Sequence, residues 1–226
     1  MRNFLTVSFV SSIVLISACG GGSSSSTPTS PTTPSTPAPP ANRAPVINSL
    51  NFAPAFGIAG LAQFSFNASA SDPDGDSVAY AWDVAGNPFT GTNGTVTFVN
   101  GFNGTARLTV SDNKGATATD TRSFVVGTMS GSWLVTSGPL VGSSFNLSQS
   151  ATGLVTGSFT LPGLGSGNTD PAQPGRITSS AGLTMRVKLG PFTDFNMSGT
   201  MDATGRIVSG NLQGSGFTGQ PFTMVK

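Results

Sequence analysis

One cysteine, nine aspartates and neither histidine nor glutamate set narrow limits on the chemistry open to this 226-residue chain. A Ser-His-Asp hydrolase has no base to draw on here, and zinc has none of its usual imidazole ligands. An aspartate pair could serve glycoside hydrolysis, but no pair falls in an obvious cleft-forming context. The residue types therefore point away from an enzyme. Two places remain where chemistry could happen: Cys19, and the run Asp72-Pro73-Asp74-Gly75-Asp76.

Cys19 ends a leader. Arg2 gives a positive start, Phe4 to Ile16 is a short, mainly apolar run, and Ser17-Ala18 are small. The run is too short and wrongly flanked for a spanning helix, and it reads as an export signal. An unpaired thiol is a liability in an exported protein unless it is used. The sequence Ile16-Ser17-Ala18-Cys19 resembles the bacterial lipobox. That resemblance implies cleavage after residue 18, a diacylglycerol thioether on Cys19 and an acylated amino terminus carrying palmitate-type chains. With about 0.8 kcal/mol per buried methylene, two or more chains make a stable anchor. The alternative is an ordinary cleaved signal with an incidental cysteine. Gly20 rather than aspartate follows Cys19, and similarity to Gram-negative lipoproteins then implies sorting to the outer membrane.

The aspartate run also has two readings. Pro, Asp and Gly each have a backbone reason to sit in a tight turn. The run also superficially resembles the start of an EF-hand loop, with Asp83 twelfth from Asp72. Extended geometry defeats that version, because seven strand residues carry Asp83 roughly 20 Å from Asp76. A sandwich would bring Asp112, in the turn "SDNKG", to the same end. Asp72, Asp74, Asp76 and Asp112 together would offer oxygen ligands suited to calcium, with Lys114 as the cation that sequence places beside them.

The elements that position these groups follow from the patterning. Residues 19–43 hold the cysteine and a stretch rich in Gly, Ser, Thr and Pro that cannot bury enough surface to fold. It is a stalk with a reach of up to ~70 Å. From residue 44 the apolar residues alternate with period two, as on Phe64, Phe66, Ala68 and Ala70, and then on Val78, Tyr80 and Trp82. Several short strands separated by "SDPDGDS", "GTNG", "NGFNG" and "SDNKG" predict a β-sandwich over 44–127 with Trp82 in its core. Residues 128–226 give about eight further strands. An echo of Phe145-Asn146-Leu147-Ser148 in Phe195-Asn196-Met197-Ser198 marks a repeated hairpin. Consecutive hairpins favour an up-and-down meander, and closing eight strands into a barrel removes exposed edges. Trp133 is expected to plug one end.

The stretches "SASDPDGDSVAYAWDVAGN" and "ARLTVSDNKGATAT" resemble the polycystic-kidney-disease (PKD) repeat and related immunoglobulin-like bacterial modules. The chain departs from the PKD pattern after Asp83, reading Val84-Ala85-Gly86-Asn87. The opening Gly131-Ser132-Trp133 and the recurring hydrophobic-Thr/Ser-Gly pattern make the C-terminal part similar in shape to lipocalin or avidin barrels. The expected protein is thus all-β, with a signal at 1–18, lipidated cysteine and linker at 19–43, sandwich at 44–127 and barrel at 128–226. The PKD resemblance implies interaction or display, commonly beside other modules, and the first functional expectation is a surface lipoprotein that engages envelope proteins or polysaccharide. The alternative is a carrier holding a small apolar ligand inside the barrel. A net charge of +1 gives no electrostatic case for nucleic acid.

Overall fold

A computed structural model describes residues 39–189 and 194–226; the expected leader, Cys19 and the expected linker up to residue 38 lie outside them. The described residues form strands, turns and connections, with no helix long and apolar enough to cross a membrane.

The N-terminal half holds eight strands: β1 (Val46–Ala53), β2 (Phe56–Ile58), β3 (Gln63–Ser71), β4 (Ala79–Val84), β5 (Asn87–Thr90), β6 (Asn93–Thr97), β7 (Phe102–Ser111) and β8 (Thr117–Gly127). One sheet has the order β1-β3-β6 and the other β2-β8-β7-β4-β5. Period-two alternation drives the packing. On β3, Phe64, Phe66 and Ala68 are buried while Gln63, Ser65, Asn67 and Ser69 face water. Trp82 is 2% exposed, packs at a tilt against Phe66 with centroids 4.7 Å apart, and donates its indole N–H to the Gly91 carbonyl at 3.0 Å. Phe52, Phe64, Phe98, Phe102 and Phe124 fill the rest of the space between the sheets. β2 was not visible in the sequence pattern. It is three residues long and lies parallel to the end of β8, pairing Ile58 with Gly127.

The C-terminal half holds β9 (Gly131–Ser137), β10 (Ser144–Gln149), β11 (Leu154–Leu161), β12 (Gly165–Asn168), β13 (Gly175–Ile177), β14 (Gly182–Val187), β15 (Phe195–Met201), β16 (Ile207–Gly214) and β17 (Phe217–Val225). Eight of these close an antiparallel barrel in chain order, β9-β10-β11-β13-β14-β15-β16-β17, with β17 returning to β9 through Met224–Val135. β13 is short, pairing β11 only at Leu154 and Val155. β12 pairs the other end of β11, from Ser158 to Leu161, and the following Thr169 bridges to Val187 of β14. The wall is thus continued by β12 where β13 stops.

Closure requires very close backbones. A Cβ on Gly210 would lie 1.9 Å from the Ser198 oxygen, so no larger residue fits between β15 and β16 there. Inside, Trp133, Phe145, Phe159, Phe195, Phe222, Leu161, Met185 and Met197 are all nearly or fully buried and belong to one apolar cluster. Side chains occupy the barrel interior, as they do in barrels of this strand number that hold no ligand.

Sandwich and barrel share that cluster. Ile58, from the N-terminal half, is fully buried in the barrel core, with Phe56 and Leu61 packed against it. Met129, just past β8, joins it and accepts the Trp133 indole N–H on its carbonyl at 2.8 Å. Gln149 ties the halves with its amide: the nitrogen donates to the Ala59 carbonyl, and the oxygen accepts the Met129 N–H, each at 2.8 Å. Gly60, at φ +76°, sits where any Cβ would meet the Ala151 backbone at 2.5 Å. Residues 41–226 form one compact unit.

Candidate functional site

The acidic groups gather at the end of the sandwich where the chain enters β1. The turn between β3 and β4 is closed by the Gly75 N–H donating to the Asp72 carbonyl at 3.1 Å, with Gly75 at φ +81°. One carboxylate oxygen of Asp72 accepts the Asp74 N–H at 2.8 Å and, more weakly, the Asp76 N–H at 3.4 Å. This is the local bonding that makes aspartate a turn residue. It also draws three carboxylates together: an oxygen from each of Asp72, Asp74 and Asp76 lies within 4.8 Å of the others.

Two cations and two unfilled oxygens decide the electrostatics. Lys114, from the β7–β8 turn, meets Asp76 at 2.8 Å, and the Asp76 carboxylate, followed by its Coulomb field, raises the lysine pKa. Arg43 meets Asp74 at 2.7 Å and donates its backbone N–H to the same carboxylate at 2.7 Å. Those bonds hold the Asp74 carboxyl below the usual range. Arg43 also reaches the Pro73 carbonyl. Sequence alone places only Lys114 here; Arg43 falls at the end of the expected linker, and its pairing depends on how the chain enters the sandwich. Asp72 Oδ2 and Asp76 Oδ2 are buried and accept no hydrogen bond. Three carboxylates at this spacing, two of which also carry a buried unsatisfied oxygen, fit a hard cation, although Lys114 and Arg43 already neutralise part of the charge.

Asp112 is at the same end but outside the group of three. It is 1% exposed, and both of its oxygens are occupied. One accepts the Lys114 and Ala116 N–H groups at 2.8 and 3.0 Å; the other accepts the Asn42 side-chain amide at 2.6 Å. Burial pushes its pKa up, but the bonds from Asn42, Lys114 and Ala116 outweigh that and hold it low. Asp112 therefore organises its own turn and holds the incoming chain at Asn42. Asp83, the distant partner of the EF-hand reading, accepts the Gly86 N–H in the β4–β5 turn. Cys19 lies outside the described residues.

Two further concavities matter. Between the halves, a crevice of about 270 Å³ is lined by Asn103, Thr128, Arg206 and Lys226. Partial burial, then the neighbouring Arg206, lowers the Lys226 pKa. On the outer barrel wall, an open groove of about 490 Å³ runs over β10, β11 and the residues after β12. Neither is legible in the sequence, since both depend on which strands become neighbours.

Residues 42–125 match the family model described as bacterial Ig domain. The match covers the N-terminal sandwich. The boundaries agree with the β1–β8 sandwich and stop short of the barrel. Among solved structures, the PKD1 domain of Vibrio anguillarum Epp shares 32% identity with this chain, over 38% of this chain and 96% of that one, at a TM-score of 0.32. A structure described as the basis for promiscuous specificity of carbohydrate-binding modules from the β-sandwich superfamily shares 15% identity, over 76% of this chain and 61% of that one, at a TM-score of 0.36. Among curated proteins, none matches the chain. The bacterial Ig domain thus stands beside a barrel that its family model does not cover, and the two are bound by a common core.

Proposed function

We propose that this protein is a non-enzymatic lipoprotein of the bacterial envelope, anchored through Cys19 in the outer membrane, whose Ig domain and barrel act together as one interaction and display module. The observation that carries this reading is the shared, filled core. The barrel interior is packed with side chains, and Ile58 of the Ig domain is part of that packing, which favours surface recognition over internal carriage. A stalk of Gly, Ser, Thr and Pro suits the same role, since it holds a rigid head away from a membrane surface. Asn42 and Arg43 join stalk to head by bonding Asp112 and Asp74. In this reading Asp72, Asp74 and Asp76 can take calcium beside that joint and stiffen it, with Asp112 bracing the turn. Envelope proteins or polysaccharide are the partners that such a module would engage.

The test is the cysteine. Cys19→Ala should abolish incorporation of radiolabelled palmitate and shift the protein from the outer-membrane fraction to unprocessed precursor. Unchanged labelling and fractionation in the variant would overturn the anchored reading.

A further inference from the structure

We propose that the groove on the outer barrel wall over β10 and β11 is a binding site for neutral saccharides. Its core is one register row. Asn146 of β10 lies opposite Ser158 of β11, and Ser158 lies opposite Asn168 of β12, so three polar residues stand side by side across three neighbouring strands. Thr156 lies two residues along β11 on the same outward face, and Pro171, in the connection after β12, supplies an apolar wall. That connection is pinned in place. The buried Thr169 donates its N–H to the Gly157 carbonyl at 2.8 Å and accepts the Gly157 N–H on its hydroxyl at 2.9 Å. Gly157 itself cannot be replaced, since a Cβ there would lie 2.1 Å from the Asn146 carbonyl oxygen.

The chemistry of the lining selects the ligand. Among the described residues, the side chains of Asn146, Thr156, Ser158 and Asn168 make no hydrogen bond to any other group. Each amide offers donors and an acceptor, and each hydroxyl does both. Sugar hydroxyls have that same dual character, and the C–H face of a pyranose can lie on Pro171. No charged side chain lines the groove, so an anion or cation finds no counter-charge. The other concavities differ. Arg206 and Lys226 line the crevice between the halves, and Arg186 lines a groove beside β14 and β15. A second neutral groove, over β14 to β16, has the single amide Asn211 and serves as an internal control. A peptide adding as a strand would need a free sheet edge, which here only β12 has; most of the row lies on β10 and β11, each paired on both sides.

This inference rests on the interaction-module reading and adds the ligand class. The experiment uses the full-length lipidated protein, isotope-labelled, in a zwitterionic detergent without a sugar headgroup. Cellohexaose, maltohexaose, xylohexaose and an oligogalacturonate are titrated in turn, and the side-chain amide resonances of Asn146, Asn168 and Asn211 are followed by NMR. At least one neutral hexasaccharide should shift Asn146 and Asn168 saturably, the oligogalacturonate should shift neither, and Asn211 should stay still. The double variant N146A/N168A should bind at least ~10-fold more weakly, the loss of two or more hydrogen bonds, at an unchanged melting temperature. Asn211→Ala should bind as the native protein does. The proposal is overturned if no neutral hexasaccharide moves the two amides, if the double variant binds undiminished, or if the anionic oligomer binds as well. A negative result with palmitate labelling at Cys19 intact would reject the sugar site and leave the anchored module standing.

Discussion

Replacing Ile58 by alanine tests whether the Ig domain and the barrel are one thermodynamic object. Ile58 is fully buried, yet it comes from the short β2 strand of the sandwich and belongs to the core that fills the barrel. Trimming a buried isoleucine to alanine costs ~2–5 kcal/mol, from lost transfer free energy and from the cavity left behind. Phe56 and Leu61 flank the site from the same segment and Met129 from the connection, so only partial collapse is expected and a value of ~3 kcal/mol is reasonable. For a unit of this size that corresponds to a fall of about 6–12 °C in melting temperature. The molecule carries its own reporters: Trp82 is buried in the sandwich and Trp133 in the barrel. Fluorescence melts in the Trp82→Phe and Trp133→Phe backgrounds then report each half separately. Ile58→Ala should lower both transitions together and by the same amount. If the Trp82 transition moves while the Trp133 transition stays, Ile58 does not support the barrel and the shared-core argument fails.

The remaining predictions concern the acidic end. Asp74 and Asp112 have pKa values held below their unfolded value of about 3.9, so their contribution to stability is full well above that pH and is lost as pH falls through the lower folded values. Melting temperature should therefore drop on acidification below about pH 4, and less steeply in Asp112→Asn, which keeps an oxygen for the turn N–H groups; parallel pH profiles would contradict this. Millimolar calcium should raise the native melting midpoint relative to chelator, and Asp72→Asn with Asp76→Asn should erase the difference, whereas identical native midpoints with and without calcium would reduce the cluster to a turn.

Much of the fold could be read from alternation alone, because a strand with one buried face writes its geometry into every second residue. Phe64, Phe66 and Ala68 point inward as their spacing requires, and the repeated Phe-Asn-hydrophobic-Ser hairpins at 145 and 195 are the first strands of pairs in a closed eight-stranded barrel. Elements held by long-range pairing rather than by their own pattern could not be read. β2 has three residues and no room for a period, and its place is set by β8, some seventy residues away. β12 is Gly-Ser-Gly-Asn, a sequence with no strand signature, and it is extended because β13 is too short to complete the wall. The acidic end shows the same division. Turn chemistry places Asp72, Asp74 and Asp76 together, and the sandwich brings the Asp112 turn to them. Arg43 and Asn42 read as the last residues of a stalk, but their partners are Asp74 and Asp112, one on each of two separate turns.

That difference bears on what the acidic end is for. A turn needs only Asp72 and Gly75 for its shape. Asp74 instead spends its carboxylate on Arg43 of the incoming chain, and Asp112 divides its own between Asn42 and the N–H groups of its turn. The cost of burying Asp112 is offset only while Asn42 and the turn N–H groups bond it. Cutting the chain after Arg43 would leave a 1%-exposed carboxylate short of a donor and a second carboxylate without its ion pair. Asn42 and Arg43 are therefore part of the folded head.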